Sequence, residues 1–170
     1  MRWTLAGLLL TAILAAPLPA ADYQADLGPM PLDDETKAVI AGRGEAEARL
    51  DGARLTVNGR FRGLPSGATA AHLLIGPAIG VPGSKALALT VSGDTDGTIA
   101  GRYRLSKAQA AALRTGRLYV QIDSEKAPPG YSWGPKGTLW GWLLPAHARA
   151  TPGEPQRGAW FLPQLDTPRR

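Results

Sequence analysis

Most of the chain alternates apolar and polar residues with a period of two, the pattern of strands that place one face on a core. Leu55 and Val57 follow the dipeptide Asp51-Gly52 and alternate with polar residues, and residues 45–50 before it alternate in the same way. Two such runs joined by Asp-Gly predict a β-hairpin. Further strands are predicted at residues 69–75, 86–91, 98–105, 117–123 and 138–144, between turns rich in glycine, proline and aspartate.

One short helix interrupts the strands. Ser106 and Gln109 have the spacing of a capping box, the alanines that follow favour a helix, and Gly116 suits the left-handed residue that ends one. Short strands with a single helix predict an all-β fold, which we expect to be an antiparallel Greek-key-like sandwich with one short helix. The expected core consists of Leu55, Val57, Phe61, Leu73, Ile75, Leu87, Leu89, Val91, Ile99, Leu113, Leu118, Val120, Ile122, Leu139 and Leu143.

The two ends of the chain lack this periodicity. Residues 1–20 combine a basic Arg2, an apolar run and small residues at the end, the layout of a secretory signal peptide. Residues 21–35 are predicted to be a leader or linker, residues 36–145 a single domain, and residues 146–170 a flexible proline-rich tail. The protein is therefore expected in the periplasm or outside the cell, with no membrane span after cleavage.

Composition and charge narrow the possible functions. The chain has 170 residues and no cysteine, which excludes disulfides, cysteine catalysis and thiolate metal sites. It has 19 lysines and arginines against 14 aspartates and glutamates, but apart from the adjacent Arg169 and Arg170 the basic residues are scattered singly and form no stripe. A nucleic-acid partner is therefore not expected. The oligomeric state is left open.

Few residues are suited to catalysis. The chain has two histidines, His72 and His147, and no Gly-x-Ser-x-Gly motif for a serine nucleophile. His72 could be a general base near neutral pH, but a strand histidine that is hydrogen-bonded at the edge of the core is the preferred interpretation. His147 lies in the predicted tail. We therefore expect no enzyme activity and no cofactor, and we assign no catalytic residue.

The tryptophans of the last predicted strand suggest a binding function. Trp140 and Trp142 lie on one face of this strand, and Leu139 and Leu143 lie on the other. If the leucines face the core, the indoles either lie under residues 124–137 and the tail or form an exposed aromatic surface, which usually marks an interface. Because sugars stack on indoles, a carbohydrate-binding module is an alternative. The predicted binding site consists of Trp140, Trp142, Trp133, Tyr131 and Lys126.

Several short motifs follow one another along the chain: Gly63-Leu64-Pro65-Ser66, Ala70-Ala71-His72, Gly76-Pro77-Ala78 with Gly80 and Gly83, Leu105-Ser106 with Gln109, Leu113, Gly116 and Leu118-Tyr119-Val120, and Gly137 to Leu143. In this order and spacing they resemble the chordin-type domain, also called the CHRD domain. The resemblance covers about residues 46–145 and implies an all-β domain of exported proteins that binds and does not catalyse. Residues 124–128 and 139–143 resemble a bacterial subgroup associated with exported quinoprotein dehydrogenases, which implies another exported protein as the partner.

The chain departs from the resembled family at its histidines. The family commonly has two histidines one residue apart on the strand after the first turn, and a third on the strand after the helix. Here His72 is kept, whereas Leu74 and Asp123 stand at the other two places. Two histidines at positions 72 and 74 would point the same way and could share a metal, which His72 and Leu74 cannot. No metal site is therefore expected, and the alternative is a small periplasmic metalloprotein or enzyme with a polar site of His72 and Asp123.

Overall fold

The computed structural model describes residues 20–30, 34, 36, 38–127 and 137–146. All registered strand pairs in this part of the chain are antiparallel. The all-β class and the single short helix are therefore confirmed. The elements are β1 (Ala21–Pro29), β2 (Arg43–Asp51), β3 (Arg54–Arg62), β4 (Ala68–Ile75), β5 (Ser84–Val91), β6 (Gly97–Arg104), α1 (Lys107–Arg114), β7 (Leu118–Ser124), β8 (Gly137–Trp142) and β9 (Leu144–Pro145).

Eight strands close into a barrel in the order β1-β2-β3-β6-β5-β4-β7-β8, and the short β9 pairs with β1. The Greek-key-like sandwich is not confirmed, because a closed ring replaces two separate sheets. Two seams of the ring are short: Thr90 and Val91 join β5 to β6, and Gly28 and Pro29 join β1 to β8. The barrel therefore has two halves, β1-β2-β3-β6 and β5-β4-β7-β8.

Residues 21–29, which were expected to be a leader, form the first strand of the barrel. Tyr23, Ala25 and Leu27 point into the core, and each is at most 4% exposed. The prediction that this stretch lacks periodicity is wrong, because Tyr23, Ala25 and Leu27 alternate with polar residues. The main partners of this strand, β2 and β8, come later in the chain. The predicted domain boundary at residue 36 is therefore too late, and the fold includes β1.

The predicted hairpin and most of the predicted core are confirmed. Leu50 lies opposite Leu55 across the turn at Gly52, whose φ is 59°. Ile75, Leu87 and Val91 are partly buried, and all the other predicted core residues are buried. Side chains from all sides of the ring meet in one interior, as expected for a barrel of this strand number.

Helix α1 joins β6 to β7 and has the predicted capping box. The Ser106 hydroxyl accepts a hydrogen bond from the backbone N–H of Gln109 at 3.2 Å, and the Gln109 side-chain oxygen accepts one from the backbone N–H of Ser106 at 2.9 Å. Leu113, with no exposed surface, packs α1 onto the barrel. No helix in the described ranges is long and apolar enough to cross a membrane.

Candidate binding site on the outer face of β4, β7 and β8

Strand β7 is buried on both of its faces. Its apolar side chains point into the barrel, while Tyr119, Gln121 and Asp123 point to the outer face and are at most 4% exposed. Alternation with polar residues normally predicts a face in contact with water. The burial of these three side chains therefore distinguishes the outer face of β7 from an ordinary water-facing strand.

The strands beside β7 bring the two predicted sites together. His72 of β4 lies opposite Gln121, and Trp140 of β8 lies opposite Gln121 on the other side. Trp142 lies opposite Tyr119 in the next row. The aromatic site and the His72–Asp123 site, which the sequence predicts as separate alternatives, are thus two parts of one surface.

Three rings form an aromatic cluster on this face. The ring of Trp142 stacks on that of Tyr119, with centroids 4.8 Å apart and planes at 25°. Trp140 meets Trp142 at a centroid distance of 4.7 Å and an angle of 68°. The buried Tyr119 hydroxyl accepts a hydrogen bond from the backbone N–H of Gly83 at 3.1 Å. Trp140 and Trp142 are half-buried, so they form neither a fully covered core nor a flat exposed platform.

Asp123 is the centre of the polar part of the site. Its Oδ1 accepts a hydrogen bond from Gln121 Nε2 at 2.7 Å. Its Oδ2 lies 3.6 Å from the Lys85 ammonium and 3.7 Å from Nδ1 of His72. Lys85 therefore supplies the opposite charge that a buried carboxylate requires.

Several buried polar atoms of this face are left without hydrogen bonds. His72 Nδ1, Gln121 Oε1 and Trp142 Nε1 have no hydrogen-bond partner within the described part of the chain. Folded proteins pair the great majority of such atoms, and an unpaired one costs about 1–3 kcal/mol. The indole N–H can donate, the amide oxygen can accept, and the imidazole nitrogen can do either. The three atoms have unused hydrogen-bonding capacity of both kinds, and because the fold covers them, a bound molecule would reach them only after neighbouring side chains move aside.

The arrangement of donors does not favour a metal centre. Residues 20–30, 34, 36, 38–127 and 137–146 contain no group of three or more histidine, cysteine, aspartate or glutamate side chains that could hold an ion. The carboxylate oxygen nearest to His72 is also within 3.6 Å of the Lys85 ammonium, which would repel a bound cation. His72 and Asp123 lie close together, but they do not make a ligand set.

The remaining predicted residues lie apart from the tryptophans or outside the described part of the chain, and some residues of this face were not predicted. Lys126 is exposed and follows the end of β7 near Asp123, whereas Trp142 lies opposite the beginning of that strand. Tyr131, Trp133 and His147 fall outside the described residues. Lys85, Tyr119 and Gln121 were not predicted. Tyr119 and Gln121 could be recognised only from their position between β4 and β8, and that position is known only when the strand order is known.

Comparison with known proteins identifies the family of this chain. A family model of the CHRD domain matches residues 24–131, well over half of the chain. The chain belongs to the CHRD family. The CHRD match begins within β1 and continues past β7, so it includes His72, Tyr119 and Asp123, whereas Trp140 and Trp142 follow it. A search of curated proteins and a search of solved structures found no match.

Protonation of His72 in the CHRD domain should respond to its two charged neighbours. Burial lowers the pKa of His72 from its usual 6.5, Lys85 lowers this pKa further, and Asp123 raises it. Because the unfolded chain holds the proton more tightly, the stability contributed by neutral His72 is complete above pH 6.5 and is lost as the pH falls through the folded-state pKa.

We therefore expect Lys85→Gln to raise the pKa of His72 and Asp123→Asn to lower it. The measurement is an NMR titration of the imidazole C–H resonance, in a His147→Gln background that leaves one histidine to follow. A shift in the opposite direction for either variant would show that the two charges do not act on His72 as the distances indicate.

Proposed function

We propose that this CHRD protein is an exported, non-catalytic binding or accessory module that recognises another exported protein through the outer face of β4, β7 and β8. The signal-peptide pattern of residues 1–20 supports export. Membership of the CHRD family supports a binding or accessory role. The outer face supplies the surface for it.

The observation that carries the proposal is the set of unpaired polar atoms beside half-buried tryptophans. A half-buried indole next to desolvated polar groups is typical of the centre of a protein interface, where tryptophan is enriched. The main chain of a partner presents both N–H and C=O groups, which match the unpaired Gln121 oxygen and Trp142 indole N–H. Because the fold itself covers both atoms, a bound protein segment would satisfy them only after neighbouring side chains of the face move aside.

The alternatives have less support from the same contacts. Carbohydrate binding needs an indole face that a sugar ring can stack on, but one face of Trp142 is taken by Tyr119 at 4.8 Å. Catalysis by His72 needs a nucleophile in reach, and its Nδ1 has no hydrogen-bond partner among the residues that the structure describes. The site is better suited to recognition than to reaction.

The proposed partner class is an exported quinoprotein dehydrogenase. The support for this class is the resemblance of residues 124–128 and 139–143 to the bacterial subgroup associated with such enzymes. The second of these stretches includes Trp140 and Trp142 and belongs to β8 and its end. The stretch that carries the resemblance is therefore also part of the proposed recognition face.

Site-specific photo-crosslinking tests the proposal in the cells that make the protein. A photoreactive amino acid replaces Lys85, whose side chain is 47% exposed on the outer face, or Arg54, which is exposed on the other half of the barrel. We expect cleaved, exported protein and one discrete adduct from position 85 alone. The purified partner should then bind Trp142→Phe, which keeps the ring but loses the indole N–H, at least tenfold more weakly than the wild type, with Arg54→Gln unchanged.

Two results would overturn the proposal. One is an uncleaved chain retained in the cytoplasm. The other is the same set of adducts, or none, from positions 85 and 54, which would mean that the outer face is not a recognition surface.

A further inference from the structure

Two arginines face each other on the half of the barrel opposite the proposed recognition face. Arg43 of β2 and Arg62 of β3 are directly registered across the antiparallel pair, and both are exposed. Neither guanidinium makes an ion pair or hydrogen bond with any residue in the described ranges. Like charges directly opposite each other destabilise a sheet by up to about 1 kcal/mol. The pair therefore carries an unfavourable charge that the fold itself does not neutralise.

The nearby carboxylates are already engaged. Glu45 forms an ion pair with Arg60, with Oε1 and Nη2 2.5 Å apart. Asp96 Oδ1 accepts a hydrogen bond from the backbone N–H of Gly63 at 2.9 Å. These contacts hold the surroundings of the arginine pair in place without pairing either guanidinium.

The backbone beneath the pair is closely fitted. Gly42, just before Arg43, has a φ of 108°, and a β-carbon there would lie 2.9 Å from the carbonyl oxygen of Arg62. Gly63, just after Arg62, has a φ of 70°. These two glycines let the strand ends approach closely and fix where the arginine side chains begin. Binding to the pair would therefore require ordering of side chains and little movement of the main chain.

Both arginines line two adjoining clefts on the surface. One cleft has a volume of about 490 Å³ and is lined among the described residues by Arg43, Gly44, Glu45, Arg60, Phe61 and Arg62. The other has a volume of about 440 Å³ and is lined by Gly42, Arg43, Arg62, Gly63 and Asp96. Both arginine residues thus border open space large enough for a small molecule.

We infer that Arg43 and Arg62 form a binding site for a small multivalent oxyanion, a phosphate or a di- or tricarboxylate. Each guanidinium is a planar fork that can donate two parallel hydrogen bonds to a carboxylate or phosphate. An anion between them would remove the repulsion across the strands and fill the shared side of the two clefts. The site is separate from the outer face of β4, β7 and β8 and does not depend on the function proposed for it.

Thermal unfolding and calorimetric titration of the full chain at low salt test this site, with inorganic phosphate and citrate as probes and sodium chloride at matched ionic strength as the reference. We expect at least one probe, at ten times its Kd, to raise the unfolding midpoint by about 4 °C. The double variant Arg43→Gln/Arg62→Gln should bind at least tenfold more weakly. Without an anion it should unfold at or above the wild-type temperature, because the repulsion is gone.

The matched control is Arg54→Gln/Arg104→Gln. These two arginines are also registered opposite each other, across β3 and β6, but Asp51 lies opposite Arg54 on its other side. This variant, and Trp142→Phe, should keep the wild-type affinity for phosphate or citrate. Three results would overturn the inference. The probe could raise the unfolding midpoint of the Arg43/Arg62 double variant as much as that of the wild type, sodium chloride could raise the wild-type midpoint as much as the probe does, or neither probe could bind.

Discussion

Replacing Gly141 with alanine should lower the free energy of unfolding by about 3 kcal/mol. An added β-carbon would lie 2.3 Å from the carbonyl oxygen of Asp26 and 2.8 Å from Cδ2 of Leu27, closer than the 3.0 Å that real β-carbons respect. A backbone carbonyl cannot rotate away as a flexible side chain can, so β8 would have to move off β1. Urea denaturation should show the loss directly, and the thermal midpoint should fall by about 9 °C.

Gly28→Ala is the control for this variant. Gly28 pairs with Trp140 on the same seam between β1 and β8, but a β-carbon added there would meet nothing within 4 Å. The alanine should therefore leave stability unchanged or raise it slightly, because a strand glycine loses more conformational entropy on folding. Equal losses at Gly28 and Gly141 would show that the close approach of Asp26 does not decide the effect.

The close packing of β8 on β1 at Gly141 also affects the candidate site. It lies between Trp140 and Trp142, and its own contact with β1 keeps β8 close to the barrel. Strand alternation places the two indoles on the outer face, and the glycine between them lets β8 lie close to β1. The tryptophan fluorescence of Gly141→Ala should therefore change along with stability.

Local signals in the sequence predict the elements that local contacts define. The Asp51-Gly52 turn and the alternation on both sides of it specify the β2–β3 hairpin, with Leu50 registered opposite Leu55. Ser106 and Gln109 specify the start of α1 through contacts three residues apart. Such features need no knowledge of the rest of the chain, since turn and capping chemistry act over a few residues.

Closure of the barrel and burial of the site depend on contacts that alternation cannot reveal. Tyr23 and Leu27 alternate with polar residues, but their strand becomes recognisable only beside β2 and β8. Tyr119 and Gln121 look like the water-facing side of β7, and a period of two shows that the faces differ, not that both are buried. Lys85 reaches Asp123 from β5, a relation that requires the strand order β5-β4-β7.

Removing the Asp123 carboxylate should disturb the polar half of the site more than any other single change there. Asp123→Ala is expected to lower the free energy of unfolding by about 2 kcal/mol, because Gln121 Nε2 loses its 2.7 Å hydrogen bond while its Oε1 is already unpaired. The loss of the ion pair with Lys85 should add little to this destabilisation, because the half-exposed ammonium can turn to water.

Asp123→Asn separates the hydrogen bond from the charge. The amide oxygen of asparagine can still accept from Gln121 Nε2, so this variant should lose about half as much stability as the alanine variant in urea denaturation at neutral pH. Asp22→Ala removes an exposed ion pair with Arg49, 3.1 Å long, and serves as the surface control, with an expected loss below about 0.5 kcal/mol. A loss from Asp123→Ala no larger than that of the control would mean that Asp123 does not hold the polar face together, and the proposed recognition surface would lose its centre.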